Sequence, residues 1–428
     1  MPPREVSQRE EPPQTSSFFQ QVGENLKFNP FLPEVREDPY PFYEHLRRED
    51  PVHRSFIGGD WLLTRYADIQ SVLLDKRFRA NDKAKQIQWK NQYTSQIGED
   101  LSTLIQANNS FLFYMDPPDH TRLRGLVRKA FTPAVVEHMR PRMQEFVDTL
   151  IGKVHHTGSM DIISDLASPL PVMVIAELLG VPSEDQFKLK QWGNDLICIL
   201  DPLLSLEQLA NLNETTKEFE EYFRTLIAQR ERMPKNDLIS ALIVSSDEDS
   251  KLMKDEVWAV CMLLFVTGEE TTVNTIGNGM LALLRHPEKM NHLKQNPLLI
   301  QSAVEELLRF DSPVQLTSRI AVENIEMAGK TILAGEKVSL CLGAANRDPM
   351  EFLDPNTLNL ARLNNHHLAF GEGIHFCLGA TLARAQSQLA INALIQNLPE
   401  MNILPGKLER RNNIVLRGLK SLPVTLKK

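Results

Sequence analysis

The residues with the clearest capacity for chemistry lie in a glycine-rich segment around Cys377, which reads FGEGIHFCLG over residues 370–379. Gly371 and Gly373 permit backbone dihedral angles that other residues resist, which favours a tight loop. The apolar spacing that follows predicts a helix over residues 378–397. Because free N–H groups and the helix dipole stabilise a thiolate at a helix start, Cys377 can bind a metal there without a nearby lysine.

Two other interpretations apply to the same loop. A cysteine in a glycine-rich turn is most often a buried structural residue, and the loop alone leaves that interpretation open. The letters GEGIHF also begin like a dinucleotide-binding GxGxxG loop. This second alternative fails because the third glycine is missing, no clear strand precedes the loop and no βαβ unit surrounds it.

A second candidate site is the polar patch TGEETT, residues 267–272, inside the stretch 255–286 that reads as one long apolar helix. One glycine and three threonines cost helix stability. Such a conflict within a strong helix indicates a functional or strained position. The patch is either a partly exposed polar turn or an acid beside an alcohol that passes protons, in which case Glu270 and Thr271 are the pair.

Two charged patterns are ambiguous by themselves. Glu306 and Arg309 lie three residues apart on a predicted helix over 297–310, and such a pair on a surface stabilises by well under about 1 kcal/mol. Residues 120–142 carry six basic side chains and one acid. A run of this kind is usually a solvated helix face.

Together these motifs resemble the cytochrome P450 family. FGEGIHFCLG is similar to the family's haem-binding loop, TGEETT to its oxygen-activation motif, and EELLR to its ExxR motif, and they occur in family order over residues 29–426. The resemblance implies that Cys377 is the axial thiolate ligand of haem b, that Thr271 hydrogen-bonds the oxygen bound to iron, and that Glu270 is the acid of the proton relay. Thr267 departs from the family, which usually has Ala or Gly there.

The resemblance also assigns supporting residues. Glu306 and Arg309 become a buried pair that locks the haem-side core, and Arg362 is the candidate third member, although Thr357 stands where many relatives have Arg. The residues expected to contact the haem or shape its loop are Cys377, His120, Arg124, Arg319, His375, Phe370, Gly371, Gly379 and Gly268.

The implied activity is that of a monooxygenase, which takes electrons from a ferredoxin or flavodoxin-like donor with its reductase. It hydroxylates or epoxidises a fairly hydrophobic small molecule, and the similarity to macrolide- and polyketide-tailoring members favours a natural-product intermediate, either free or bound to a carrier protein. The basic residues Arg122, Arg128 and Arg140 are candidates for docking an acidic donor. The residues expected to line the substrate pocket are Phe113, Val266, Thr267, Val314, Gln315, Leu316 and Leu416.

Three alternatives keep different functions open. The first is a peroxygenase or another haem-thiolate enzyme that needs no reductase, against which the Glu270–Thr271 pair argues. The second is a non-catalytic haem-binding sensor, which loss of Thr271 or Cys377 would have suggested. The third is a small-molecule binding module without haem.

The elements predicted around these motifs make the chain mainly α with a smaller β-rich part, as in the cytochrome P450 fold, with haem between the long helix and the cysteine loop. Residues 18–428 are expected to form one domain after a disordered tail of residues 1–17. The net charge of −8, from 47 basic and 55 acidic residues, argues against nucleic-acid binding. Four widely spaced cysteines and no apolar stretch of bilayer length favour a cytoplasmic protein without a membrane anchor, which we expect to be a monomer.

Overall fold

A computed structural model describes the chain over residues 29–55, 59–80, 83–95, 98, 100–154, 156–200, 204–244, 254–398 and 400–426. The tail predicted to be disordered and Gly58 of a predicted hairpin lie outside these ranges. In the part of the chain that is described, no helix is long and apolar enough to cross a membrane.

Helices dominate the described chain, as the sequence predicts. The α-helices are α1 Pro33–Glu37, α2 Tyr40–Glu49, α3 Tyr66–Leu74, α4 Lys83–Thr94, α5 Ser102–Asn109, α6 Asp119–Ala130, α7 Pro133–Val154, α8 Pro169–Leu179, α9 Gln186–Leu196, α10 Leu206–Arg232, α11 Leu238–Val244, α12 Lys254–Arg285, α13 Pro287–Gln295, α14 Ile300–Phe310, α15 Leu342–Ala345 and α16 Ala380–Asn397. Short 3-10 segments cover Leu112–Tyr114, Ser183–Asp185, Ile197–Leu200, Pro297–Leu299 and Gly373–His375, and a π-helix covers Ile163–Ala167.

The strands form three small sheets. They are β1 Val52–Arg54, β2 Trp61–Leu63, β3 Phe78–Ala80, β4 Ser159–Asp161, β5 Leu316–Ala321, β6 Ile325–Met327, β7 Lys330–Ile332, β8 Lys337–Cys341, β9 Met401–Ile403 and β10 Pro423–Leu426. The largest sheet has the order β1-β2-β8-β5-β3, in which β1 and β2 form the predicted hairpin and β2 runs parallel to β8. In this sheet Arg319 of β5 lies opposite Ala80 of β3 and Val338 of β8, which fixes its position.

Helix α12 is the centre of the fold. It packs against α8, α10, α14 and α16, and most of its residues are buried, because its sequence is apolar on nearly every side. Phe265 of α12 lies 5.8 Å from Phe219 of α10, whose ring stacks on Phe223 at 4.2 Å. The helix predicted over residues 255–286 is thus confirmed to within one residue at each end.

Two predicted helices begin later than expected. The stretch predicted as one helix over 297–310 opens as a 3-10 turn and becomes α-helical only at Ile300. The helix after Cys377 begins at Ala380, because residues 377–379 turn so that the Ala380 N–H reaches the Cys377 carbonyl. The short strands β4 and β9 were not predicted, since three residues give too short a pattern for alternation to be recognised.

Candidate functional site

The cysteine loop is held by its own backbone. Gly371 and Gly373 have φ values of +67° and +71°, the left-handed region that glycine tolerates best. A Cβ on Gly373 would also come within 2.8 Å of the Leu73 carbonyl oxygen, so glycine lets the loop lie directly on α3. The Cys377 N–H donates to the Phe370 carbonyl at 2.9 Å, which closes the loop and fixes the direction of the thiol.

The Cys377 thiol is both accessible and desolvated. Its side chain is accessible, yet the surrounding protein raises the pKa of the thiol by desolvation, a combination typical of a group that faces a cavity. The Gly379 N–H, followed by Arg124 and Arg384, opposes that shift by stabilising the thiolate. The sulfur is therefore presented with a backbone donor beside it, as a metal-binding thiolate requires.

Basic side chains from three elements converge beside the loop. His120 of α6 and His375 of the loop lie with ring centroids 4.4 Å apart, and Arg124 donates a hydrogen bond to the Phe376 carbonyl. Burial and then the charge of Arg319 hold the pKa of His375 at about 3, so this imidazole is neutral. Among the described residues Arg319 has no ion-pair partner, and the buried Nε2 atom of His120 has no hydrogen-bonding partner. Four potential hydrogen-bond donors therefore lie close together in a desolvated place, which suits an anionic ligand.

Three threonine hydroxyls in the middle of α12 bond to the backbone of their own helix. Thr267, Thr271 and Thr275 each donate to the carbonyl four residues earlier, at 2.7, 2.8 and 2.8 Å. Such bonds compete with the backbone hydrogen bonds of a helix, yet α12 continues without interruption through the patch. Thr271 and Thr267 are half-buried, whereas Thr272 and Thr275 are buried.

The Glu270 carboxyl is buried and held by two partners. Asn274 donates to Oε1 at 3.1 Å, and Arg411 lies 3.2 Å from the same oxygen. Burial raises the pKa of Glu270, while Arg411 and then Asn274 oppose the shift. Sequence reasoning missed Arg411. Asn274 could have been found, because its spacing of four residues from Glu270 places both on one helix face.

The neighbouring Glu269 is a second buried carboxyl. It is 9% exposed and faces α9, where a Cβ on Gly193 would collide with Oε2 of Glu269. Burial, followed by the charge of Glu270, raises the pKa of Glu269 to about 8, against weaker lowering by Arg411 and Lys190. Between pH 4.5 and about 8, the folded protein thus keeps a proton on Glu269 that the unfolded chain releases.

We expect Glu269→Gln to stabilise the protein at neutral pH and to have little effect near pH 4. Because the folded pKa is raised, wild-type stability falls as pH rises from about 4.5 to about 8, and an uncharged amide removes that loss, up to about 3 kcal/mol near pH 7. Unfolding midpoints measured from pH 4 to 9 test this. Exposed Glu207→Gln is the control, and parallel profiles for Glu269→Gln and wild type would contradict the assignment.

The three residues of the expected ion-pair core lie together. Arg309 donates two hydrogen bonds to the Glu306 carboxylate, both at 2.7 Å, and both side chains are fully buried. Arg362 donates to the same carboxylate at 3.0 Å. Thr357, which stands where many relatives have Arg, contributes its carbonyl oxygen to Arg309 and Arg362.

A second ion pair lies against Phe370 of the cysteine loop. Arg384 of α16 donates to both oxygens of Glu305 at 2.7 and 2.8 Å, and its guanidinium lies 4.5 Å from the Phe370 ring centroid. His367 contacts the same carboxylate at 3.2 Å. Sequence reasoning did not find this support, since Glu305 is distant in sequence from the loop that it steadies.

The expected substrate-pocket residues are only partly brought together. Val314 and Leu416 form a β-bridge, and Val266 and Thr267 lie on α12. Phe113 packs in the main core, and Leu316 packs against the cluster around Tyr43 and Leu46.

One sequence-based assignment is corrected. Gln315 does not face a pocket by α12: its amide accepts from the Tyr43 hydroxyl at 3.0 Å, donates to the Ser312 carbonyl at 2.8 Å and fills the space beside Gly343. A Cβ on Gly268 would make an ordinary contact with Ile175 of α8, at 3.4 Å, and the haem contact expected of Gly268 stays a prediction.

The chain is similar to known proteins over most of its length. The chain matches the family model described as Cytochrome P450 over residues 80–297 and 289–407. It is 41% identical over 394 residues to the biotin biosynthesis cytochrome P450 of Bacillus subtilis (strain 168), covering 92% of this chain and 97% of that protein. It is 39% identical over 418 residues to the polyketide biosynthesis cytochrome P450 PksS of the same organism, covering 95% and 100%. The crystal structure of P450BioI in complex with hexadec-9Z-enoic acid ligated acyl carrier protein matches with a TM-score of 0.84 at 39% identity, covering 92% and 99%.

Proposed function

The chain belongs to the cytochrome P450 family, and from this premise we propose that it is a monooxygenase in which Cys377 ligates the haem iron and a hydrophobic natural-product intermediate is oxidised. Its cofactor is haem b. The observation that carries the assignment of Cys377 is the accessible thiol beside the Gly379 N–H, next to a buried cluster of basic side chains.

The residues present fit haem b. Cys377 would supply the thiolate that ligates the iron, and donors in a desolvated place would hold the two propionate groups. Arg319, His120, Arg124 and His375 are such donors, and the buried His120 Nε2 atom has no partner among the described residues. When bound, the haem supplies activation of O2 with electrons delivered singly, and thereby the insertion of one oxygen atom into a C–H or C=C bond.

The protein's own contribution is placement and protons. Thr271 carries the half-buried hydroxyl that donates a proton to the reacting oxygen. To do so, the hydroxyl gives up its hydrogen bond to the Thr267 carbonyl. Glu270, the next residue toward the amino terminus, is the acid that resupplies it. The hydroxyl of Thr267 adds a polar group to the same helix surface, where it is available to a polar part of the substrate.

We expect Thr271→Ala to lower product formed per NADPH consumed by about 10- to 100-fold, since one positioned proton donor contributes on this order or more. The assay uses 18O2, a ferredoxin with its reductase, and hexadec-9Z-enoic acid, free and carrier-ligated, as probe substrates. Thr275→Ala, which removes the equivalent i−4 bond one turn later, is the matched control and should retain coupling.

The same assay separates the alternatives. A single 18O atom in the product supports the monooxygenase, whereas product that forms with hydrogen peroxide but not with O2 and NADPH supports a reductase-independent haem-thiolate enzyme. A protein that binds haem without any turnover supports the sensor.

The substrate is proposed to be hydrophobic and connected to polyketide or fatty-acyl metabolism. Support comes from the apolar residues Phe113, Val266, Val314 and Leu416, and from relatives named for polyketide and biotin biosynthesis. The acyl carrier protein in the P450BioI complex supports delivery on a carrier. Hydroxylation and epoxidation are both compatible with this site.

An acidic ferredoxin or flavodoxin-like donor is proposed to dock on α6. Two of the three expected contact residues are already paired, Arg122 with Glu256 and Arg140 with Glu137, which leaves Arg128 as the exposed charge one turn from Arg124. We also propose that the protein is a monomer. A cytoplasmic location is proposed because the buried thiols of Cys261 and Cys341 suit a reducing compartment.

We expect Arg128→Glu to slow reduction by the donor several-fold at low salt, with the difference shrinking as ionic strength rises. Stopped-flow reduction rates at several salt concentrations measure this. Glu137→Lys, a charge change of opposite sign on α7, is the control, and identical rates and salt dependence for Arg128→Glu and wild type would exclude docking at this position.

A further inference from the structure

The back of α12 is tied to a segment near the carboxyl terminus, residues 410–418, which we call the arginine segment. Asn278 donates to the Arg417 carbonyl at 2.8 Å and accepts from Arg410 at 2.7 Å. Asn274 lies so close to Gly418 that a Cβ on residue 418 would collide with the side-chain amide of Asn274. Glu270, Asn274 and Asn278 therefore form one polar stripe, spaced by four residues, against this segment.

A small cavity of about 30 Å³ is lined by the arginine segment. It is bounded by residues near the start of the described chain and by the segment itself, and its charged lining is entirely basic. The charged lining residues are Arg36, Arg410, Arg411 and Arg417, and the lining also includes Ile414 and Gly418.

The cavity suits water. A space of roughly 10–15 Å³ holds one water molecule if polar partners surround it. Two buried polar atoms nearby have no hydrogen-bonding partner among the described residues. They are Nε of Arg410, a residue that lines the cavity, and Oδ1 of Asn274, which lies beside Gly418. Water is the natural partner of both atoms, since a buried polar atom without a partner costs about 1–3 kcal/mol.

Arg411 connects this cavity with the acid of α12. Its side chain lines the cavity and is 36% exposed, while Glu270, at 3.2 Å, is 9% exposed. The Arg411 guanidinium thus lies between the cavity, which can hold water, and the Glu270 carboxyl, which is buried from solvent. Glu269 lies beside Glu270 on α12, and the charges of Glu270, Arg411 and Lys190 of α9 all act on Glu269.

We propose that protons from solvent reach Glu270 through this cavity, and that Arg411 is the positioning residue that keeps the Glu270 carboxylate ready to accept them. The proposal rests on the role given to Glu270 above. A proton carried by water forms an O–H bond at one carboxylate oxygen, and the carboxyl then releases a proton toward Thr271, so that charge balances and no electron moves. Arg411 supplies a fixed positive charge, as guanidinium groups in proteins do, and takes no part in the proton transfer itself.

The first test is the protonation of Glu270 itself, followed in the haem-loaded protein by the infrared C=O band of a protonated carboxyl. Glu270→Gln identifies the band. Arg411→Gln is expected to move its titration midpoint upward by at least one pH unit, because the charge that opposes desolvation is lost. Arg411→Lys should restore most of the shift, and Lys420→Gln, which removes an exposed charge paired with Glu409, should leave the midpoint unchanged.

The second test addresses the cavity. Ile414→Phe fills it without changing charge, and we expect this variant and Arg411→Gln each to lower product per NADPH by at least fivefold and to increase the solvent deuterium isotope effect. Spin-state titration with the same fatty-acid probe should be unchanged in both, since neither residue is proposed to contact substrate.

Each failure has a distinct meaning. If Glu270→Gln retains wild-type coupling and isotope effect, the role of Glu270 in the proposed function is wrong. If Glu270→Gln is impaired but Arg411→Gln matches Lys420→Gln in both band position and coupling, the assignment of Arg411 is wrong. A normal isotope effect and normal coupling in Ile414→Phe overturn the route through the cavity.

Discussion

Replacing Cys377 with Ala is expected to abolish the strongly red-shifted Soret band of the dithionite-reduced, carbon-monoxide-bound protein. That band requires a thiolate on the iron, and Cys377 is the thiol that the loop presents beside the Gly379 N–H. The haem contacts proposed for Arg319 and His120 remain in the variant, so the purified protein can retain some haem with an altered spectrum.

Cys198→Ala is the control for loss of a thiol, because Cys198 belongs to the 3-10 segment Ile197–Leu200 and not to the cysteine loop. Its spectrum should match that of wild type. A wild-type spectrum typical of histidine-ligated haem, or a thiolate spectrum that persists in Cys377→Ala, would refute the central assignment. A colourless wild-type protein would instead support the binding module without haem.

Glu306→Gln is expected to destabilise the fold more than any other single charge change proposed for this protein. The carboxylate receives two hydrogen bonds from Arg309, one from Arg362 and one from the Asn359 N–H, all within 3.0 Å. Without its charge, a fully buried guanidinium stays uncompensated, which costs about 3–5 kcal/mol. Unfolding midpoints and haem content per protein measure the effect.

The chain contains a matched control with the same spacing. Glu137 and Arg140 also form an i,i+3 pair, but on the exposed face of α7. Glu137→Gln should leave both measurements almost unchanged, since exposed pairs contribute little. Equal effects of the two substitutions would mean that burial does not determine the importance of the Glu306 pair.

The part of the site that could be predicted from sequence is the part that is local along the chain. Cys377 at the end of its glycine loop and the Glu306–Arg309 spacing are fixed by backbone geometry over a few residues, and the long helix around Thr271 is fixed by its apolar length. Arg362 was reached only through family resemblance, and the structure places it 3.0 Å from Glu306.

What could not be predicted depends on contacts between distant segments. The pairing of Arg411 with Glu270, and that of Arg384 with Glu305, join elements that no periodicity relates. Gln315 was misassigned for a related reason: strand alternation leaves two possible faces, and only the packing of Tyr43 and Gly343 around its amide decides between them.

The contact between Gly193 and Glu269 has an evolutionary consequence. Because a Cβ at position 193 would collide with the Glu269 carboxyl, a larger residue there requires the end of the Glu269 side chain to move within a buried place. The effects of mutations at the two positions are therefore expected to be non-additive, since residues in contact share their neighbours. Libraries that diversify α9 should accordingly vary both codons together, or keep glycine at 193.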